Sequence, residues 1–111
     1  MPAVIEVRTY RTVPGARAVL IEALSTRSFP AHRDLGMKVL GPFPVADGDD
    51  AFVWLRAYPD AASREPMRNA FYEGDLWLRE LEPQLMPLIS GYEATLVEDA
   101  IGLWHRWPQA G

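Results

Sequence analysis

Apolar and polar residues alternate along several stretches of the chain, and elsewhere apolar residues recur every three or four positions. Alternation at every second residue is typical of a half-buried strand, whereas the wider spacing is typical of a helix with one buried face. In order, the pattern predicts a strand over 3–12, a helix over 16–28, strands over 37–45 and 51–58, two helical pieces from about 60 and over 75–86, and a last strand over 90–100.

Two prolines and a glycine limit where the second strand can lie in a sheet. Pro42 and Pro44 cannot donate backbone hydrogen bonds, so both cannot occupy a central strand. We therefore predict an edge strand with a bulge near Gly41. The acidic turn that follows predicts a hairpin with the strand over 51–58.

Other prolines and small polar residues mark the helix ends. Pro30 either ends the first helix or begins a new turn. Asp60 or Ser63 is placed to cap the next helix, with Pro66 in or near its first turn. Pro83 predicts a kink in the last helical piece.

The order β-α-β-β-α-β predicts a ferredoxin-like α+β fold with an antiparallel sheet and both helices on one face. We expect one domain over residues 1–111, because a chain of 111 residues is long enough for one core only. The second sheet face is left without cover, so we expect a homodimer formed by sheet-on-sheet packing. The aromatic tail over about 101–111 is placed to pack on the partner subunit.

Composition excludes several classes of function. A net charge of −4 with no basic stripe argues against a nucleic-acid partner. Because the chain has no Cys and only two His, we expect no disulfide, no metal site and no cofactor. It has no long apolar run and no apparent leader, so we expect a cytoplasmic protein without membrane insertion.

Two segments resemble the NIPSNAP family. Residues 6–10, Glu-Val-Arg-Thr-Tyr, with Pro-Gly at 14–15, are similar to the family's opening motif. Residues 53–58, followed by Asp60 and the Arg-Glu pair at 64–65, are similar to a second shared stretch. The resemblance implies the dimeric α+β barrel, a superfamily that also includes cofactor-free monooxygenases and small isomerases. The chain departs from the family where His-Leu-Trp often precedes the tyrosine of the third strand, so roles of that His or Trp do not carry over.

Strand alternation divides the two central strands into a polar face and a smooth apolar face. The polar face, which we place under the helices, carries Glu6, Arg8, Tyr10, Trp54, Arg56 and Tyr58. The opposite face, which suits a dimer interface, carries Ile5, Val7, Val53, Leu55 and Ala57.

Two interpretations fit the polar face. Glu6, Arg8 and Arg56 can form a structural ion-pair network roofed by aromatic rings, which is the more common arrangement. Alternatively, an arginine fork and aromatic walls hold a small anionic or carbonyl-bearing ligand, with Glu6, Arg8, Tyr10 and Trp54 as ligand-binding residues.

Three residues are candidates for catalysis: His32, Arg56 and Tyr58. A histidine near the mouth of a cleft suits a general base at neutral pH, although a surface or capping role is more common for such a residue. We expect His105, in the aromatic tail, to be a packing or exposed residue.

Three functions therefore stand side by side. The first is a small-molecule binding protein of the NIPSNAP type. The second is a cofactor-independent monooxygenase or isomerase acting on an aromatic or polyketide-like molecule. The third is a structural or interaction dimer that binds no ligand.

Overall fold

The computed structural model describes residues 2–108, and four antiparallel strands form its sheet. The strands are β1 (Val4–Thr12), β2 (Lys38–Pro44), β3 (Ala51–Tyr58) and β4 (Ile89–Glu98). Their order across the sheet is β2-β3-β1-β4, which places β1 and β3 at the centre. The predicted α+β ferredoxin-like arrangement is confirmed.

The helices follow the predicted order but run further than expected. α1 (Arg17–Ala23) continues through a π-helical turn (Leu24–Ser28) into α2 (Phe29–Asp34). α3 (Ala61–Tyr72) follows β3, and a second π-helical turn (Leu76–Leu81), α4 (Glu82–Leu85) and a 3₁₀ turn (Met86–Leu88) lead into β4. A short 3₁₀ turn (Leu103–Arg106) lies in the tail.

A widened turn explains why Pro30 does not end the first helix. Proline has no N–H for the carbonyl four residues earlier, and its ring needs space in the preceding turn. The π-helical turn supplies that space, with the Phe29 N–H bonded to the Leu24 carbonyl five residues back. The same device precedes Pro83, where the Glu82 N–H bonds to the Trp77 carbonyl.

The start of α3 differs in part from the prediction. Asp60 is the N-cap, and its side chain accepts from the Ser63 N–H at 2.8 Å. Pro66 lies inside the helix and not in its first turn. It is tolerated there because the carbonyl that loses its partner, that of Ala62, belongs to an exposed residue that water can reach.

β2 is the predicted edge strand, and its pairing with β3 shifts between Leu40 and Phe43. Gly41 lies at this bulge with a φ of +118°, and a Cβ there would come within 3.1 Å of the Trp54 Cβ. Glycine is therefore required by both the backbone conformation and the close approach of β3.

The two faces of the sheet have different surroundings. The face beneath the helices carries the main core, in which Leu20, Phe29, Phe52, Phe71 and Leu81 are buried. The six polar and aromatic residues predicted for this face are also buried there. Their predicted location is confirmed.

The opposite face is covered in part by the chain's own tail. Trp107 packs against Ile5 and Ala57, and its indole N–H donates to the Val39 carbonyl at 3.0 Å. Val7 and Val53, further along the same face, stay half-buried. Tail packing on a partner subunit stays a prediction, and the tail residues 109–111 lie outside the described residues.

Between residues 2 and 108, no helix has the length and apolar character needed to cross a membrane.

Candidate functional site

Glu6 is the centre of a buried hydrogen-bond network on the helix side of the sheet. The register of β1 and β3 places it directly opposite Arg56. Its Oε1 accepts from Arg8 Nη1 at 2.7 Å and from Arg56 Nη2 and Nε at 2.7 and 3.1 Å. Its Oε2 accepts from the Tyr58 hydroxyl at 2.7 Å and from Arg64 Nε at 3.0 Å. These five groups are called the Glu6 network below.

The network keeps Glu6 ionised. Burial alone raises the pKa of this carboxyl, but the charge of Arg56, with the hydrogen bonds from Tyr58 and Arg56, lowers the pKa to about 2. Burial also raises the pKa of the Tyr58 phenol, and its bond to Glu6 adds to the effect. Both groups therefore keep a single protonation state near neutral pH.

Arg56 is fully engaged with protein partners. Besides its bonds to Glu6, Nη1 donates to His32 Nε2 at 3.1 Å and to the Tyr72 hydroxyl at 2.8 Å. The residue is 0% exposed. All three guanidinium nitrogens thus have partners, which leaves no side of Arg56 open to a ligand.

His32 is a buried residue at 1% exposure and not the surface or capping histidine favoured by the sequence. Because Nε2 faces the donor Arg56, the ring proton lies on Nδ1, which donates to the Ser28 carbonyl at 2.7 Å. Burial lowers the pKa of His32 to about 3, and the charge of Arg56 acts in the same direction. His32 is therefore neutral, and the lone pair on Nε2 is already occupied.

Positive charge exceeds negative charge in the Glu6 network. Arg8, Arg56 and Arg64 all pair with the same carboxylate. No second acidic group within residues 2–108 forms an ion pair with any of them. Three guanidinium charges against one carboxylate leave an excess of two positive charges, only part of which, on Arg64, reaches solvent.

A cleft of about 370 Å³ opens beside this network, between α3, the segment after it and the β1–β4 side of the sheet. It is lined by Arg8, Tyr10, Arg64, Arg68, Tyr72, Trp77, Glu82, Met86, Ile89, Tyr92 and Ala94. These eleven residues define the cleft below. Its walls are mainly aromatic and apolar, and three arginines face it, which is a composition typical of sites for small ligands.

Arg8 joins the network to the cleft. Its side chain is 8% exposed, and its guanidinium carbon lies 5.4–5.8 Å from the ring centres of Tyr10, Trp54 and Tyr92. Nη1 is bound to Glu6, Nη2 makes a long 3.5 Å contact with the Tyr10 hydroxyl, and Nε has no partner. An unpaired buried donor is costly, so this group is the least satisfied part of the network.

The structure brings only two of the predicted site residues to the cleft. Arg8 and Tyr10 line it, as expected from strand alternation. The other five predicted residues, which are Glu6, His32, Trp54, Arg56 and Tyr58, are buried behind that wall.

Sequence reasoning missed most of the cleft. Arg64, Arg68 and Tyr72 are spaced four residues apart and share one face of α3, a signal that was present in the sequence. Tyr92 lies opposite Tyr10 in the β1–β4 register. Its contribution depends on strand pairing, which the local sequence pattern does not reveal.

A second depression, of about 440 Å³, lies at the β2 edge beside Lys38 and Trp107. The Lys38 ammonium already donates to the Trp104 carbonyl and lies 4.2 Å from the Trp104 ring centre. No buried donor without a partner lines this depression, so its chemistry points less clearly to a ligand. Over the described residues, no three His, Asp or Glu side chains are grouped to hold a metal ion.

The sheet order and the helices on one face define a ferredoxin-like α+β protein with a cleft between its layers. The family model of NIPSNAP matches residues 5–100. The chain belongs to the NIPSNAP family. A comparison with curated protein sequences found no match.

Solved structures share the fold at low sequence identity. A NIPSNAP family protein of unknown function from Agrobacterium tumefaciens aligns with a TM-score of 0.76 at 22% identity, covering 87% of each chain. An uncharacterised NIPSNAP domain protein from Burkholderia xenovorans has a TM-score of 0.76 at 19% identity, covering 89% of this chain and 96% of the other. A putative antibiotic biosynthesis monooxygenase from Nitrosomonas europaea has a TM-score of 0.72 at 13% identity, with coverage of 90% and 92%. These identities establish a common fold.

Proposed function

We propose that the protein binds a small organic anion in the cleft, with Arg8 as the residue that holds its charged group. The observation that carries this proposal is the excess of positive charge in the Glu6 network. At an effective dielectric constant of about 20, an anion about 4 Å from one guanidinium gains roughly 4 kcal/mol of Coulomb energy. The gain is large at Arg8 because water reaches this side chain poorly.

The polar face divides into two functional parts on this account. Glu6, Arg56, Tyr58 and His32 satisfy one another and hold the arginines in place. Arg8 and Tyr10 meet the ligand together with Tyr72. The hydroxyl of Tyr72 accepts from Arg56, so its own hydrogen is free to be donated to the ligand.

Binding is favoured over proton-transfer catalysis by the state of the candidate catalytic groups. Glu6 stays ionised and accepts five hydrogen bonds, while the lone pair on His32 Nε2 is taken by Arg56. Neither is free to remove a proton from a bound molecule. We therefore assign His32, Arg56 and Tyr58 a positioning role.

The test is a fragment screen by ¹H–¹⁵N NMR with anionic molecules and neutral analogues of matched size. We expect the anions to predominate among the hits and to shift the resonances of Arg8, Tyr72 and Trp77. Arg8→Lys should weaken binding. Arg11→Lys is the matched control, because Arg11 is on the same strand but is exposed and paired with Glu93.

Equal hit rates for neutral and anionic fragments would contradict the proposal. Shifts that map to the depression beside Lys38, and not to the cleft, would do so as well.

We further propose that the chain forms a homodimer through the half-buried part of its second sheet face. Support comes from Val7, Val53 and Leu55, which lie side by side there, and from Val97 on β4, which is 40% exposed. The tail covers the neighbouring part of the face, so the proposed contact is shorter than the whole sheet.

A further inference from the structure

We propose that the ligand of the cleft is an aromatic monocarboxylate of about ten non-hydrogen atoms, paired through its carboxylate with the open edge of Arg8. This inference rests on the proposed anion-binding function and narrows it to one chemical class. It follows from the geometry of Arg8, the composition of the cleft walls and the size of the cleft.

The open edge of Arg8 is the one formed by Nε and Nη2. In a planar guanidinium these two nitrogens lie side by side and match the two oxygens of a carboxylate. Arg56 uses this same edge to hold Glu6. In Arg8, Nε has no partner and Nη2 has only the 3.5 Å contact with Tyr10, so the edge lacks the carboxylate that its counterpart has.

The walls around this edge favour a flat ring. Tyr10 and Tyr92 lie on the Arg8 guanidinium, with a ring-centre separation of 6.1 Å and an interplanar angle of 67°. Further from Arg8, Trp77, Met86 and Ile89 line the same cleft. A ligand whose charge meets Arg8 must place its body against these groups, and an aromatic body gains edge-to-face contacts beyond simple burial.

The size of the cleft limits the ligand. A volume of about 370 Å³ corresponds to roughly a dozen water molecules at about 30 Å³ each. A carboxylate attached to one ring fits this space, whereas a polyketide of several fused rings exceeds it. The proposal therefore commits to a single ring.

The test compares four probes against the full-length wild-type protein by isothermal titration calorimetry and NMR. They are benzoate, cyclohexanecarboxylate as a carboxylate without an aromatic ring, benzamide as a neutral aromatic, and inorganic phosphate. We expect benzoate to bind at least about tenfold more tightly than benzamide, because charge-assisted hydrogen bonds are lost in the neutral analogue. Against cyclohexanecarboxylate we expect a preference of about two- to tenfold.

The outcomes separate this inference from the function on which it rests. If both carboxylates bind equally, or phosphate binds more tightly than benzoate, the aromatic carboxylate is wrong while anion binding stands. If benzamide matches benzoate, or none of the three anions binds, both proposals fail.

A variant supplies a second line of test. Arg8→Lys keeps the charge but removes the two-nitrogen edge, so benzoate affinity should fall at least about tenfold, with Arg11→Lys unchanged. Unaltered benzoate affinity in a folded Arg8→Lys protein overturns the inference. Should Arg8→Lys not fold, the ranking of the four probes on the wild-type protein decides alone.

Discussion

At the scale of single residues, Glu6 determines how the buried polar face is organised. One carboxylate aligns three guanidiniums and a phenol, and its removal leaves buried charges without a partner. Strand alternation was sufficient to predict that these side chains share a face, because the period of a strand is fixed at two. It could not predict which of them meet the cleft, since that depends on groups from α3 and β4.

Glu6→Gln should strongly destabilise the protein. The change removes the counter-charge of Arg56, which is 0% exposed, and breaking a buried pair from one side costs about 3–5 kcal/mol. The measurement is the free energy of unfolding from urea titration. Glu93→Gln, in the exposed pair with Arg11, is the control and should cost less than about 0.5–1 kcal/mol. Equal effects of the two variants would contradict the role given to Glu6.

The stability of the protein should fall as the pH drops from 6.5 towards 3, and His32 should dominate the upper part of that range. Because its pKa is lowered from 6.5 to about 3 by burial, the unfolded chain binds a proton there that the folded chain does not. The free energy of unfolding should therefore decline by up to about 1.4 kcal/mol per pH unit below 6.5. Glu6 adds to the decline below 4.5, since its folded pKa is about 2.

The check is urea unfolding of the wild type and of His32→Gln between pH 7 and 4.5. The variant should lose most of this slope, while His105→Gln, an exposed position in the tail, should keep it. A wild-type slope that persists in His32→Gln would refute the assignment.

At the scale of elements, the cleft exists because α3 and the π-helical segment after it present long side chains towards the sheet. Arg64, Arg68 and Tyr72 form one stripe of α3, and Trp77 follows from the widened turn. Apolar spacing predicts where a helix lies, but a π-helical turn shifts the face of every residue beyond it. The position of Trp77 in the cleft could not be obtained from the sequence for this reason.

The tail is an element whose contribution can be measured. Trp107→Ala removes a buried ring from the contact with Ile5 and Ala57 and the hydrogen bond to Val39. We expect a loss of about 3 kcal/mol in the free energy of unfolding. His105→Ala, exposed in the same tail segment, should change this free energy by less than about 0.5 kcal/mol. If Trp107→Ala has an equally small effect, the tail does not pack on the sheet in solution.

At the scale of the whole molecule, the sheet separates two surfaces with different properties. One face carries the charged network and the cleft, and the other carries small apolar residues partly covered by the tail. The order of elements was enough to predict this architecture. The tail's position was not predicted, because no periodic pattern connects residues 103–107 to the strands that they cover.

The proposed dimer is testable through the uncovered part of the second face. Light scattering at micromolar concentration should give twice the mass of the 12.5 kDa chain. Val53→Lys should shift the mass towards the monomer, because it places a charge in an apolar contact. Val19→Lys, at an exposed position on α1, is the control. A monomeric wild-type mass would refute the dimer.

The central claim is that the open edge of Arg8 receives the charged group of a ligand. Its most direct test is NMR of the arginine Nε–H groups, with the Arg8 resonance assigned by its absence in Arg8→Lys and the Arg56 resonance as internal reference. On titration with benzoate, the Arg8 Nε–H should move downfield as it gains an acceptor, while the Arg56 Nε–H, already bound to Glu6, stays in place. If benzoate binds and the Arg8 resonance does not move, or if no anion perturbs it, the account is contradicted.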